Sequence, residues 1–147
     1  MSKWIVMGAS SFSGRAFCKH LERRGQEVRP LSRPTYDLNT EAGQLNISFT
    51  LLNECNAADY VVNFAALNMV ADSWRHYDDY YNTNVRGVAQ FARECHRLLP
   101  NMQKFIQVST PEVYGNATVS LIGEAQPYSP STPYAVSRAA ADMDLMA

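Results

Sequence analysis

The first stretch whose residue types could do chemistry is a turn of small residues near the N-terminus. Gly8, Ser11 and Gly14 form a G-x-x-S-x-x-G pattern that directly follows the apolar run 5–7. Between a strand and a helix, such a turn lets backbone N–H groups meet a pyrophosphate at the helix N-terminus. The pattern favours nucleotide binding over an ordinary tight turn. The residues expected to contact the phosphates are Gly8, Ser10, Ser11, Phe12, Ser13 and Gly14.

The end of the second expected strand, 26–32, bears on the kind of nucleotide. In dinucleotide-binding folds an acidic residue at this point binds the adenosine ribose of NAD, whereas an arginine accommodates the 2′-phosphate of NADP. This chain has Ser32 and Arg33 there, with Arg29 nearby. The residues therefore favour NADP over NAD. The alternative is a solvated arginine in a loop.

A tyrosine and an arginine four residues apart form the second stretch of chemical interest. Thr132 and Pro133 are typical of a helix start, so Tyr134 and Arg138 fall one turn apart on the same face. A phenol with a pKa of about 10 is a useful base at neutral pH only when a nearby cation stabilises its phenolate. The alternative for Tyr134 is an aromatic side chain that packs the helix start against a sheet.

Alternating strand and helix patterns must position these residues. We expect strands at 5–7, 26–32, 36–38, 59–66 and 104–108, and helices at 13–24, 47–55, 74–99 and 132–147. Within 74–99, Tyr77, Tyr81, Val85 and Val88 continue one apolar stripe. The alternation predicts an α/β fold, a Rossmann-like doubly wound parallel sheet with five strands.

Composition excludes several classes of partner. The 147 residues carry 13 basic and 14 acidic side chains without a basic stripe, so neither nucleic acid nor an anionic membrane is expected as a partner. No apolar stretch approaches the roughly 20 residues of a membrane span. The three cysteines are scattered and the histidines lack partners at ligand spacing, which predicts buried thiols, a cytoplasmic location and no metal site.

Five segments in order resemble the extended short-chain dehydrogenase/reductases, specifically the NAD-dependent epimerase/dehydratase group that acts on nucleotide-sugars. The resemblance runs from Lys3 to Ala147 and rests on the loop 8–14, Phe64-Ala65-Ala66, Asn84-Val85-Arg86-Gly87, Ser109 to Gly115, and the Tyr-x-x-x-basic motif at Tyr134. It implies one NAD(P)-binding Rossmann domain, 1–147, that is apparently truncated and lacks the family's C-terminal substrate domain. It also implies a homodimer through the helices 74–99 and 134–147.

The resemblance implies roles for individual residues. Tyr134 would be the base, Thr110 the hydroxyl that binds the reacting oxygen, Arg138 the cation, and Asn84 a residue that fixes the adjoining backbone. A nucleotide-sugar would be the substrate, and hydride would pass to or from a nicotinamide. The other residues implied at the cofactor are Asp37, Leu38, Phe64, Ala65, Ala66, Val108 and Ser109.

Two positions depart from the family pattern. Arg138 replaces the usual lysine, and a planar guanidinium cannot copy the compact reach or proton relay of an ammonium group. Pro111 occupies the position of the aspartate that serves as general acid in 4,6-dehydratases, and proline cannot transfer a proton. Epimerisation or carbonyl reduction is therefore expected rather than dehydration. The alternative is a dinucleotide-binding module without catalysis.

Overall fold

Four parallel strands form the centre of the fold. The computed structural model describes residues 1–147, with β1 at Lys3–Met7, β2 at Glu27–Leu31, β3 at Tyr60–Asn63 and β4 at Lys104–Gln107. Their order across the sheet is β2-β1-β3-β4, and every neighbouring pair is parallel. Pro30 lies within β2 opposite Val6, and it is tolerated because β2 is an edge strand.

Helices cover both faces of this sheet. They are α1 at Phe12–Arg23, α2 at Glu41–Asn53, α3 at Val70–Ser73, α4 at Tyr77–Tyr81, α5 at Val88–Leu98 and α6 at Pro133–Met146. The larger core joins Ile5 and Val61 of the sheet to Leu51 of α2 and Phe91 of α5. A smaller cluster of Val6, Ala9 and Leu21 lies beneath α1 on the opposite face. The predicted doubly wound Rossmann-like fold is confirmed.

The prediction of a strand at 36–38 is wrong, so the sheet has four strands rather than five. The segment is a turn in which the Asn39 amide donates to Asp37 Oδ1 at 2.9 Å. Gln44 Nε2 donates to the carbonyl oxygen of Leu38 at 2.9 Å. These side chains compete with strand pairing for the local backbone groups. Thr40 then caps α2, which therefore starts at Glu41 instead of residue 47.

The predicted continuous helix over 74–99 is also wrong. Residues 74–76 separate α3 from α4, and a π-helical turn at Asn82–Gly87 separates α4 from α5. A π turn contains more residues than an α turn. It therefore shifts by one position the side chains that face the core before residue 88. Tyr80 is consequently buried, whereas Tyr77 and Tyr81 are 55% and 39% exposed.

Candidate active site

The turn after β1 can be built only with glycine at position 8. Gly8 has a φ of 75°, and a Cβ there would lie 2.6 Å from the backbone nitrogen of Ala65. The β1 turn and the end of β3 are therefore in direct backbone contact. Gly14 serves packing within the turn, because its own Cβ would lie 2.3 Å from the carbonyl oxygen of Gly8.

The N-terminus of α1 presents free backbone donors. Ser11 has an ordinary φ of −67°, so a side chain is tolerated at this position, and its hydroxyl accepts from the Gly14 amide at 3.0 Å. The Phe12 and Ser13 amides, at the first two helical positions, donate to no group in the chain. The arrangement can accept an anion at these two amides.

A cleft runs from this turn across the carboxyl ends of β1, β2 and β3. Ten of the residues predicted at the cofactor line it: Gly8, Ser10, Ser11, Ser32, Arg33, Asp37, Leu38, Phe64, Ala65 and Ala66. The Ser10 amide donates to Ser32 Oγ at 2.9 Å, which ties the turn to the end of β2. The predicted residues that do not line the cleft are Phe12, Ser13, Gly14, Asn84, Val108, Ser109, Tyr134 and Arg138.

The two arginines near the end of β2 have different surroundings. Arg29 forms an ion pair with Glu54, and its guanidinium also lies 3.5 Å from the Tyr36 hydroxyl. Arg33 is exposed, lines the cleft and forms neither an ion pair nor a side-chain hydrogen bond. Arg33 is therefore the guanidinium that is free to bind an anion at the cleft.

Tyr134 lies at the start of α6, where Thr132 caps the helix through the Ala135 amide at 3.0 Å. The Tyr134 backbone amide donates to Ser73 Oγ at 3.1 Å, which attaches the start of α6 to α3. Its ring packs edge-on against Tyr80 with centroids 6.4 Å apart. The side chain is 8% exposed, and its hydroxyl makes no hydrogen bond within the chain.

Arg138 is buried one turn beyond Tyr134. It is 3% exposed and donates through Nη2 to the carbonyl oxygen of Val108, while its Nε and Nη1 are buried without a partner. Burial lowers the pKa of the guanidinium, and the neighbouring Tyr134 and Asp142 oppose that shift. An arginine nevertheless stays protonated. The helix therefore holds a permanent cation with two unpartnered donors beside the phenol.

Asn84 joins two segments that border the site. It is fully buried in the π-helical turn, where Oδ1 accepts from the Leu67 amide and Nδ2 donates to the Leu67 carbonyl, both at 2.9 Å. Nδ2 also donates to Ser137 Oγ at 3.0 Å. The side chain thus connects the segment after β3 with α6, next to Arg138.

In the segment after β4, the side chain that bonds to α6 is that of Ser109, not that of Thr110. The Ser109 hydroxyl donates to Asp142, away from the cleft. Thr110 is half-buried, and its hydroxyl accepts from the Glu112 amide at 3.4 Å at the start of a 3-10 turn. Pro111 is the first residue of that turn, Pro111–Tyr114, a position that requires no amide donor.

Sequence reasoning missed five residues at the site. Met7, Tyr36, Leu67 and Thr83 line the cleft, and Asp142 lies beside Arg138. Thr83 precedes Asn84 and Leu67 follows Ala66, so proximity to the motifs could have indicated both. Asp142 lies one turn beyond Arg138 on the same helix face, a spacing that could also have been noticed.

The structure contains no group of three or more His, Cys, Asp or Glu side chains arranged to hold a metal ion. None of its helices combines the length and the apolar character needed to span a membrane.

A four-stranded parallel sheet with a glycine turn at the N-terminus of α1 defines a Rossmann-type domain. The sequence matches the NAD dependent epimerase/dehydratase family over residues 4–147, and the chain belongs to that family.

Similar proteins agree with this assignment. A dTDP-glucose 4,6-dehydratase from Xanthomonas campestris is 32% identical over an alignment of 166 positions, gaps included. The alignment covers 97% of this chain and 47% of the relative. The structure of MoeE5 in complex with UDP-glucose and NAD matches with a TM-score of 0.83 at 27% identity, covering 97% of this chain and 48% of that one.

A UDP-Glc/GlcNAc 4-epimerase from Campylobacter jejuni shares the fold, with a TM-score of 0.87 at 20% identity over 99% of this chain and 48% of that one. The chain spans about half the length of the relatives it matches.

Proposed function

We propose that this chain is the dinucleotide-binding and catalytic portion of a nucleotide-sugar epimerase or reductase. The observation that carries the proposal is the position of Tyr134 one helical turn before the buried Arg138, a neighbouring cation, on a helix bound to the residue after β4. Family membership and the NAD and UDP-glucose in the MoeE5 complex support the same class of cofactor and substrate.

The residues of the cleft fit a nicotinamide dinucleotide. The free amides of Phe12 and Ser13, which follow the turn that Gly8 shapes, would receive the pyrophosphate, and Asp37 and Leu38 would lie at the adenosine end. Arg138 does not line the cleft and its Nε and Nη1 are buried, so it would act on Tyr134 through its charge. The dinucleotide, when bound, supplies or accepts a hydride.

The side chains of α6 and of the segment after β4 would then accept the proton of the sugar hydroxyl and bind the reacting oxygen. Tyr134 as phenolate takes the proton from a sugar hydroxyl while Arg138 stabilises the negative charge. Thr110 donates a hydrogen bond to the reacting oxygen, and Asn84 holds the backbone at Leu67 and the side chain of Ser137. Since Pro111 cannot supply a proton, the reaction stops at epimerisation or reduction rather than water loss.

Titration with NADPH and NADH, followed by turnover of UDP- and dTDP-linked sugars with the tighter cofactor, tests the proposal. Cofactor binding with turnover supports it. Binding without turnover of any nucleotide-sugar would favour the alternative, a dinucleotide-binding module without catalysis. Binding of neither cofactor would contradict both.

We expect NADPH to bind more tightly than NADH, because Arg33 is free to meet a 2′-phosphate. Arg33→Ala should lower NADPH affinity about tenfold and leave NADH affinity unchanged, as expected for loss of a charge-assisted hydrogen bond. Nicotinamide fluorescence measures both affinities. Arg29→Ala is the matched control, because Arg29 is already paired with Glu54. Equal affinities for both cofactors in the unaltered chain would contradict this expectation.

Arg138→Lys should raise turnover by about tenfold, because an ammonium group combines the charge with a compact reach to ribose hydroxyls. Steady-state kinetics with saturating cofactor measures the change. Arg93→Lys provides the control, since Arg93 forms a surface ion pair with Asp144. Turnover that falls in the Arg138 variant would show that the planar guanidinium suits this site.

We also propose a homodimer through the 74–99 and 134–147 segments. The support is a set of exposed apolar side chains on these segments: Trp74, Tyr77, Tyr81, Met143 and Met146. Helices α4 and α6 contact each other, so these side chains belong to neighbouring elements of one protomer.

A further inference from the structure

One carboxylate on α6 joins three segments that carry or border the site. Asp142 is 8% exposed, and its Oδ2 accepts hydrogen bonds from the Ser109 hydroxyl and, at 3.2 Å, from the Tyr128 hydroxyl. Ser109 lies directly before Thr110, and Tyr128 lies in the segment 116–131 that precedes α6. Asp142 therefore holds the end of β4 and this segment against the same helix.

Asp142 is the second of two successive attachments between α6 and the end of β4. Arg138, one turn earlier, donates to the carbonyl oxygen of Val108, and Asp142 accepts from the next residue, Ser109. The backbone that enters Thr110 is thus fixed at two adjacent residues to the helix that carries Tyr134. Two points of attachment restrict rotation of that backbone, which a single hydrogen bond would not.

The negative charge of Asp142 also stabilises the buried guanidinium of Arg138, although Asp142 accepts no hydrogen bond from Arg138. Asp142 lies close enough to favour the protonated form of Arg138, yet it bonds to hydroxyl groups, so Arg138 Nε and Nη1 stay unpartnered. The Tyr128 hydroxyl is protonated at neutral pH and can donate, and burial and the nearby carboxylate raise its pKa further.

We propose that Asp142 is a positioning residue of the active site, which holds Ser109 and Tyr128 on α6 and thereby fixes Thr110 relative to Tyr134. The catalytic part of this inference rests on the proposed function, whereas the attachment itself is testable without turnover.

Amide hydrogen exchange by NMR tests the attachment. The Val108 amide, bonded to Asn63 at 3.1 Å, reports on the end of β4, and the Ser129 amide, bonded to Val113 at 2.9 Å, reports on the segment before α6. Asp142→Ala should accelerate exchange at both about tenfold. Ser109→Ala should accelerate exchange only at the Val108 amide, and Tyr128→Phe only at the Ser129 amide.

Two controls separate a local effect from general destabilisation. The Gly8 amide, bonded to Leu31 at 2.8 Å in the β1 turn, should keep its exchange rate in all three variants. Asp144→Asn, on the same helix but in a surface ion pair with Arg93, should change none of the reporters. Unchanged exchange at Val108 and Ser129 in Asp142→Ala, or equal acceleration at all three amides, would overturn the proposal.

Kinetics tests the positioning role. Asp142→Ala should lower kcat by about tenfold or more with KM changed by less than about twofold, because Thr110 is misplaced while binding surfaces remain. Asp142→Asn keeps an oxygen acceptor for both hydroxyls and should recover most of the loss. Normal kcat despite accelerated exchange would also overturn the proposal. Absence of turnover in the unaltered chain would instead contradict the proposed function, and the exchange pattern would still decide the attachment.

Discussion

Replacing Tyr134 by phenylalanine should lower turnover of a nucleotide-sugar by at least about 10²-fold, the contribution expected of a general base. The phenylalanine ring keeps the edge-on contact with Tyr80 at 6.4 Å between centroids. The hydroxyl that is lost makes no hydrogen bond within the chain, so the free energy of unfolding should be unchanged. Loss of kcat at unchanged stability and unchanged dinucleotide affinity is therefore the expected result.

Tyr81→Phe is the matched control for this substitution. Tyr81 ends α4, is 39% exposed and makes no side-chain hydrogen bond, so removal of its hydroxyl should alter neither kcat nor the melting temperature. A Tyr134→Phe chain that turns over substrate at the unaltered rate would refute the role of Tyr134 as the base.

Gly8→Ala should abolish cofactor binding and strongly destabilise the fold. An alanine at φ 75° is strained, and its Cβ would lie within 3 Å of three backbone atoms of Phe64 and Ala65. Strain and overpacking together should lower the free energy of unfolding by about 3 kcal/mol or more. The turn would also move away from the cleft, so dinucleotide binding should be lost. Urea denaturation and nicotinamide fluorescence measure the two effects.

Two other glycines separate strain from overpacking. Gly25 has a similar φ of 69° but no atom within 4 Å of an added Cβ, so Gly25→Ala isolates the strain and should cost about 1 kcal/mol. Gly123 has neither a positive φ nor a close neighbour, and its substitution should be neutral within about 0.5 kcal/mol. A Gly8→Ala chain no less stable than Gly25→Ala would show that β1 and β3 separate easily at this edge.

Features encoded by neighbouring residues could be predicted from the sequence. The apolar run before Gly8 predicted the first strand and its turn, and Thr132-Pro133 predicted the start of α6. Alternating patterns predicted the parallel, doubly wound sheet, because strand and helix periodicities need only a few consecutive side chains. Ten residues predicted at the cofactor do line one cleft, although their part in binding remains a prediction.

Features that depend on distant partners required the tertiary structure. The π-helical turn that buries Asn84 and Tyr80 interrupts a pattern that reads as one continuous helix, and it brings Asn84 to Ser137, 53 residues away. The difference between Arg29 and Arg33 depends on Glu54, 25 residues from Arg29, and the two attachments of α6 to β4 join residues 30 and 33 positions apart. The physical reason is that residue type and spacing fix local conformation, whereas packing of the elements decides which buried donor meets which acceptor.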